Sequence, residues 1–259
     1  MTDPTNDSSA VIVTREDHVL IVRLNRPADS NAVNAALARG ISDAMDTLDN
    51  DPTLRVGVIT GGPKGFCGGY DLKGLLTGEN PNTDRGFGGI TRRPAKKPLV
   101  AAVERYAVAG GLEIAMSCDL IVAARGAKLG VPEVKRGLVA AAGGLMRLAR
   151  RIPYHVAMHL AITGEHISAE RGYEVGLVNE LCEPGEALDR ALALARLVAS
   201  NAPLAVQWSK EIVQGSLDLD EAGGWELQDR LGLPATETED AREGAKAFAE
   251  KRAPVWVGR

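Results

Sequence analysis

The stretch KPLVAAVERYAVAGGLEIAMSCDLIVAA, residues 97–124, holds the alternation that decides the fold class. Residues 99–103 (LVAAV) are apolar without a polar alternation, the pattern of a strand covered on both faces. Gly110-Gly111 then opens an apolar helical run, LEIAMSC, and residues 120–124 (LIVAA) form a second such strand. Strand, glycine turn, helix, strand is the signature of an α/β core with parallel strands.

The same order extends toward the N-terminus. Residues 11–13 are a short apolar run, and residues 18–24 (HVLIVRL) are a strand rich in β-branched residues that Asn25-Arg26-Pro27 breaks. A helical pattern follows from about residue 31 to 48, with Val33, Leu37, Ile41, Met45 and Leu48 spaced by three and four. Asn50-Asp51-Pro52 stops it, and residues 55–60 (RVGVIT) form a strand that ends in Gly61-Gly62. Toward the C-terminus the character changes. From about Gly143 most segments read as helix, with a short extended piece at 177–181; residues 187–199, 205–213 and 240–251 are the clearest helices. The alanine-rich run 187–199 is expected to pack against something large, another subunit being one candidate. The resulting division is a disordered tail over 1–10, a core domain over 11–199 and a helical C-terminal region over 200–259.

Composition excludes several classes of function. The chain has 259 residues, 45% hydrophobic and 25% charged, and no apolar run approaches the roughly 20 residues that span a bilayer. The polar opening residues lack the pattern of a secretory signal. Cys67, Cys118 and Cys182 stand apart without CxxC spacing, which suits free thiols in a reducing cytoplasm. A formal net charge of −4 argues against nucleic acid as partner. Residues 92–97 (RRPAKK) are the one basic cluster, either a solvated loop or a local attraction for a nucleotide phosphate. His155 and His159 are four apart but lack a third ligand, so no metal site is expected. No Walker loop, Rossmann fingerprint or GxSxG elbow occurs.

What remains is two glycine turns and two glutamates. The turns are Thr60-Gly61-Gly62-Pro63-Lys64-Gly65-Phe66-Cys67-Gly68-Gly69-Tyr70-Asp71-Leu72-Lys73 and Val108-Ala109-Gly110-Gly111-Leu112-Glu113. Glycine allows close backbone approach, and a helix starting just after such a turn offers free N–H groups to an anion or developing oxyanion. Glu113 sits among Leu112, Ile114, Ala115 and Met116, and Glu133 follows Val131-Pro132. A carboxylate buried in such company has a raised pKa and suits proton transfer near neutrality. From local pattern alone, Glu113 on a solvated helix face and Glu133 as a cap or ion-pair partner remain open.

Taken together, these stretches resemble the crotonase, or enoyl-CoA hydratase/isomerase, family. The resemblance runs from about Val11 to Gly258-Arg259. It rests on Leu24-Asn25-Arg26-Pro27 with Asn31-Ala32-Val33-Asn34, Gly65–Leu72, Lys97–Val103, Tyr106–Glu113, Leu129-Gly130-Val131-Pro132-Glu133, Gly143-Gly144, and the ending Phe248-Ala249-Glu250-Lys251-Arg252. The resemblance implies a crotonase-like α/β fold of ββα units with a helical C-terminal trimerisation region, and a homotrimer or hexamer. It implies an acyl-CoA substrate and no cofactor, the coenzyme A thioester being the substrate itself. It implies that the backbone N–H groups of Tyr70 and Gly110 form the oxyanion hole. Glu113 would take a proton from water, and Glu133 would share that water and protonate the α-carbon. Arg26, Gly69, Asp71, Leu72 and Lys73 would line the coenzyme A channel. Possession of both glutamates points to hydration of a trans-2-enoyl-CoA; 3,2-enoyl-CoA isomerisation and acyl-CoA binding without turnover are the alternatives. Three departures stand out: the bulk of Tyr70, Arg105 where relatives carry glycine, and Ala140-Ala141-Ala142 in place of a Pro-Gly turn. The last should reshape the acyl pocket, and Gly110→Pro is the substitution that would remove one donor.

Overall fold

A computed structural model describes residues 9–259. The expected tail over 1–10 therefore falls mostly outside the described residues. Its last two, Ser9 and Ala10, are tied to Asn25 by backbone and side-chain hydrogen bonds of 2.8 and 2.9 Å.

The strands are β1 (Val11–Glu16), β2 (Val19–Leu24), β3 (Val56–Thr60), β4 (Asn82–Thr83), β5 (Gly86–Phe87), β6 (Leu99–Val103), β7 (Tyr106–Val108), β8 (Leu120–Ala124), β9 (Lys128–Gly130), β10 (His166–Ser168) and β11 (Glu180–Cys182). The helices are α1 (Ala35–Asn50), α2 (Leu72–Leu76), α3 (Gly110–Ala115), α4 (Gly144–Arg151), α5 (Tyr154–Thr163), α6 (Ala169–Glu174), α7 (Ala187–Ala199), α8 (Pro203–Gly215), α9 (Glu221–Ala235) and α10 (Glu239–Glu250). The main sheet runs β1-β2-β3-β6-β8-β11. Its first pair is an antiparallel hairpin and every later pairing is parallel. A second sheet, β10-β9-β7, stands beside it.

Alternation within the central strands sends side chains to two cores. Leu99, Ala101 and Val103 face α1, α3 and the second sheet, whereas Val100 and Ala102 join Val56, Val58, Val122 and Ala124 against α7. Covering both faces is what makes these strands uniformly apolar. It also explains the alanines of α7: Ala187, Ala191, Ala195 and Ala199 are buried against the chain's own sheet. The large body that this face of the helix packs against is thus the chain's own sheet, and small side chains here let a helix lie close to it.

Helix α1 begins later than its apolar spacing suggests. Asn34 caps it, accepting from the Leu37 N–H at 2.9 Å. Residues 31–33 lie outside the helix because Asn31 has another task. It is 1% exposed with φ +53°, and its Nδ2 donates to the carbonyls of Gly61, Gly65 and Phe66 at 3.0, 3.1 and 3.0 Å. Asparagine tolerates this left-handed conformation better than most residues. Its side chain thereby gathers both ends of the first glycine turn. Cys67 and Ala107 form a parallel bridge, and the Val108 N–H donates to the Cys67 carbonyl at 3.1 Å, which sets that turn against β7.

The segment between β3 and β6 is pinned by one buried cation. Arg85, 1% exposed, pairs with Asp46 at 2.6 Å and Asp49 at 3.1 Å on α1 and donates to the carbonyls of Arg93 and Pro94. Two of the four cations of the basic cluster that follows are structural. Lys97 is buried and its Nζ donates to the Leu48 and Asp51 carbonyls at the end of α1, and Arg93 pairs with Asp84. Helices α8–α10 are held to the core by Lys210, paired with Asp119 at 2.8 Å, and by Arg55, which donates to the carbonyls of Ala199 and Trp256.

Replacing Asn31 by Ala strands three buried carbonyls. The expected loss is about 2–4 kcal/mol of stability, read as a lowered midpoint in urea denaturation. An unchanged midpoint would show that the turn does not depend on this side chain.

Candidate active site

The two glycine turns meet. Gly69 has φ +98°, and a Cβ built on it would lie 2.6 Å from the Ala109 Cβ and 3.1 Å from the Gly110 nitrogen. Only a residue without a side chain fits there. On the other side Ala109, at the cap of α3, has φ +51° and ψ −133°, a conformation that L residues avoid. The strained cap turns α3 so that its first N–H groups face the Gly68–Tyr70 segment. Among the described residues, neither the Tyr70 N–H nor the Gly110 N–H has a hydrogen-bond acceptor. Both residues line a cavity of about 700 Å³.

Glu113 lies on the first turn of α3, in the wall of that cavity, and is 3% exposed. Its Oε1 accepts from the Ala142 and Gly144 N–H groups, both at 2.8 Å. Burial pushes its carboxyl above the usual range; those two N–H groups and the nearby charge of Arg147 oppose the rise. Glu133 lines the same cavity from a 3-10 turn, Pro132–Arg136, that follows β9. Burial, and after it the charge of Glu113, pushes its carboxyl up to about 7, although a backbone hydrogen bond works the other way. Its Oε2 is a buried oxygen with no hydrogen-bond partner among the described residues, and the Thr91 hydroxyl, in the same cavity, is another. Buried orphan polar atoms cost stability and concentrate where a protein works.

The remaining sequence candidates divide. Leu72 lines the cavity. Gly69 lies at the meeting of the turns, between lining residues Gly68 and Tyr70. Arg26 and Asp71 are paired with each other at 3.0 Å, and Arg26 also holds Asp29 at 3.0 Å and the Ala32 carbonyl; neither is among the cavity's lining residues. Burial would raise the Asp71 carboxyl, but the Arg26 guanidinium and backbone N–H groups hold it below the usual range. Lys73 is largely exposed, with Nζ 3.6 Å from Asp29. The cations that line the cavity are Arg92, Lys135 and Arg136. Arg92 belongs to the basic cluster, whereas Lys135 and Arg136 carried no motif. Phe87 and Thr91 were likewise invisible, since the β4–β5 hairpin region that presents them has no periodic pattern.

The three departures resolve differently. Tyr70 packs edge-on against Phe87, ring centroids 6.0 Å apart, and its hydroxyl donates to the Glu79 carbonyl at 2.9 Å. Arg105 does adopt φ +53°, at a cost of about 1 kcal/mol, but it is exposed and does not line this cavity. Ala141 and Ala142 line it, and Ala142 also orients Glu113. Gly110→Pro proves a blunter tool than the sequence suggests. A Cβ there would lie 2.5 Å from the Phe87 ring, so the change would displace that wall as well as remove a donor.

The raised Glu133 carboxyl makes stability depend on pH. Its ordinary value is 4.5 and its folded value about 7, so the protonated form favours folding. That contribution is complete below about 4.5 and is lost as pH rises through about 7. Glu133→Gln has no charge to acquire. Native and variant should match near pH 4.5, and the variant should be more stable at pH 8 by about 1–2 kcal/mol after allowance for partial solvent screening. Urea midpoints across this range measure it; a difference that does not vary with pH would contradict the assignment.

Similarity to known proteins agrees with this geometry. Residues 14–259 match the family model described as enoyl-CoA hydratase/isomerase. The chain is 39% identical over 258 residues to enoyl-CoA hydratase EchA19 of Mycobacterium tuberculosis, covering 96% of each. It is 38% identical over 262 residues to a carnitinyl-CoA dehydratase of Salmonella typhi, covering 97% of this chain and all of that one. Among solved structures, an enoyl-CoA hydratase from Mycobacterium tuberculosis H37Rv superposes with a TM-score of 0.95 at 51% identity, over 97% of this chain and 100% of that one. With the paired turns, the mixed sheet and the C-terminal helices all accounted for, the chain belongs to the enoyl-CoA hydratase/isomerase family.

Proposed function

We propose that this protein adds water across the double bond of a trans-2-enoyl-CoA to give a 3-hydroxyacyl-CoA. The observation that carries the proposal is the convergence in one cavity of Glu113, Glu133 and the unpaired N–H groups of Tyr70 and Gly110. The thioester oxygen would lie between those two N–H groups. Glu113 has Oε1 committed to two backbone donors, which leaves Oε2 to accept a proton from water. The hydroxide oxygen bonds to the β-carbon, and the double-bond electrons move toward the thioester oxygen as an enolate. The two N–H groups stabilise that charge. Glu133, whose carboxyl is held near 7, delivers a proton to the α-carbon. The enolate collapses, and the glutamates return to their starting states by proton exchange. The scheme needs only water, the thioester and the chain's own groups.

The reaction run backward is a dehydration, the activity for which the carnitinyl-CoA dehydratase relatives are named. Both directions share these groups, so the acyl group, and not the machinery, separates the two readings. The apolar part of the wall, Phe87, Leu138, Val139 and Ala141 among its residues, supports an acyl chain with hydrocarbon surface.

We also propose that the chain assembles as a homotrimer or hexamer. Val213, Leu217, Trp225, Leu233 and Phe248 of the C-terminal region are between 56% and 88% exposed, an apolar surface that supports burial against copies of the same chain.

Loss of enoyl absorbance with crotonyl-CoA and with longer and branched 2-enoyl-CoAs tests the activity. Turnover is expected on at least one; none on any would reject hydration. Glu113→Gln and Glu133→Gln should each slow turnover by roughly 10²–10⁴-fold while leaving acyl-CoA binding largely intact by calorimetry. Analytical ultracentrifugation should give the mass of a trimer or hexamer, and a monomer at micromolar concentration would reject assembly.

A further inference from the structure

We infer that Arg147 is a positioning residue of this site, a single guanidinium that fixes both the direction and the charge environment of Glu113. Arg147 lies on α4, one turn after Gly143-Gly144. Its Nη1 donates to the Ala142 carbonyl at 3.2 Å and its Nη2 to the Thr91 carbonyl at 2.6 Å. Thr91, Ala142 and Glu113 all line the cavity, so one side chain joins two segments of its wall.

The consequence for Glu113 is direct. Ala142 offers its carbonyl to Arg147 and its N–H to Glu113 Oε1, and Gly144 supplies the second N–H to the same oxygen. The two groups belong to adjacent peptides joined at the Ala142 Cα, so holding the carbonyl restrains the donor that aims the carboxylate. There is no slack in this packing: a Cβ built on Gly144 would lie 2.9 Å from Glu113 Cγ and Oε1. The planar fork of arginine suits the task because it spans two carbonyls at once, which an ammonium on a flexible stem does not.

Charge is the second component. The charged groups coupled to Glu113 are Arg147 from α4, which lowers its carboxyl, and Glu133 from the 3-10 turn, whose own carboxyl the charge of Glu113 raises. Arg151, further along α4, faces Arg147 and donates to the Met116 carbonyl at 2.7 Å; the buried Cys118 thiol faces both arginines. Arg92, Lys135, Arg136 and His166 stand on the cavity wall. Arg147 is the cation that favours the ionised form of Glu113 directly. It thereby separates the two carboxyls, keeping Glu113 the base while Glu133 holds its proton.

This inference rests on the hydration reading for its kinetic consequence, but not for its electrostatic one. In Arg147→Gln the acid limb of the kcat/KM profile should move to higher pH by about one unit, and kcat should fall about 10- to 100-fold with little change in KM. In Arg147→Lys the charge stays and the fork is lost, so the limb should keep its native position while kcat still falls at least about tenfold. A lysine variant with native kcat would overturn the positioning role, and a glutamine variant with an unmoved limb would overturn the electrostatic role. If the native chain turns over no enoyl-CoA, the hydration reading fails on its own, and the inference is read by NMR of ¹³C-carboxyl glutamate. The resonance missing in Glu113→Gln should titrate at higher pH in Arg147→Gln than in the native chain; equal midpoints would overturn it. Should the glutamine variant not fold, Arg147→Lys decides through kcat and through that same resonance, which should keep its native midpoint.

Discussion

Everything at this site depends on two stretches of backbone meeting with no side chain between them. The approach of Gly69 to Gly110 leaves no room for a Cβ. Two peptide N–H groups can converge on one point only if their chains come this close. The rest of the molecule supplies the force that keeps them there. The parallel sheet delivers β3 and β6 side by side, the Cys67–Ala107 bridge aligns the first turn with β7, and Asn31 ties the carbonyls that would otherwise repel the turn's closure. The strained Ala109 belongs to the same design. An unfavourable backbone conformation persists only where its surroundings over-determine it, and here the Ala109 N–H donates to the Gly130 carbonyl at 2.9 Å while Gly110 backs onto Phe87.

That convergence sets the terms for the carboxyls. The close packing around the turns buries both carboxyls and penalises their ionised forms. The structure separates two glutamates that would otherwise be equivalent. Glu113 receives two backbone donors and a neighbouring guanidinium, all of which favour charge; Glu133 has an orphan oxygen and a negative neighbour, both of which disfavour it. Their surroundings thus drive the two carboxyls apart in pKa, a difference that suits one to accept a proton and the other to donate it.

The sequence exposed these features unequally, for physical reasons. The strands of the main sheet were legible because burial on both faces leaves an uninterrupted apolar run, as in residues 99–103. The glycine turns were legible because close approach restricts the residue type. The second sheet was not: β7, β9 and β10 have three residues each, too short for any period to show. Helix α1 appeared to start near residue 31 because Val33 falls in phase with Leu37, although Val33 is instead bridged to Tyr70. Arg26 and Asp71 looked like ligand contacts, and the structure pairs them with each other, a contact 45 residues apart that no local pattern reports. Arg147 escaped notice for the same reason. Its partners are carbonyls, which every residue possesses, so nothing in the composition of residues 91 or 142 marks them.

Two of the three departures from family pattern, Tyr70 and the alanine run, act on the shape of the cavity and leave its backbone donors in place. Tyr70 contributes its N–H through the backbone, and the bulk of its ring is anchored twice, to Phe87 and to the Glu79 carbonyl. A ring held at both ends is a fixed wall and does not swing across the cavity. Phe87 in turn packs where Gly110 lacks a Cβ. The Tyr70–Phe87 pair therefore adds volume next to the two glycine turns. On another part of the wall, Ala141 and Ala142 contribute only methyl groups, while the Ala142 peptide still orients Glu113. A small side chain is what that segment can vary without disturbing the carboxylate, because the orienting group is backbone. Shape and hydrogen bonding are thus carried by different atoms of the same residues: side-chain changes at 70, 87 and 141 would remodel the cavity wall and leave the backbone donors to Glu113 in place.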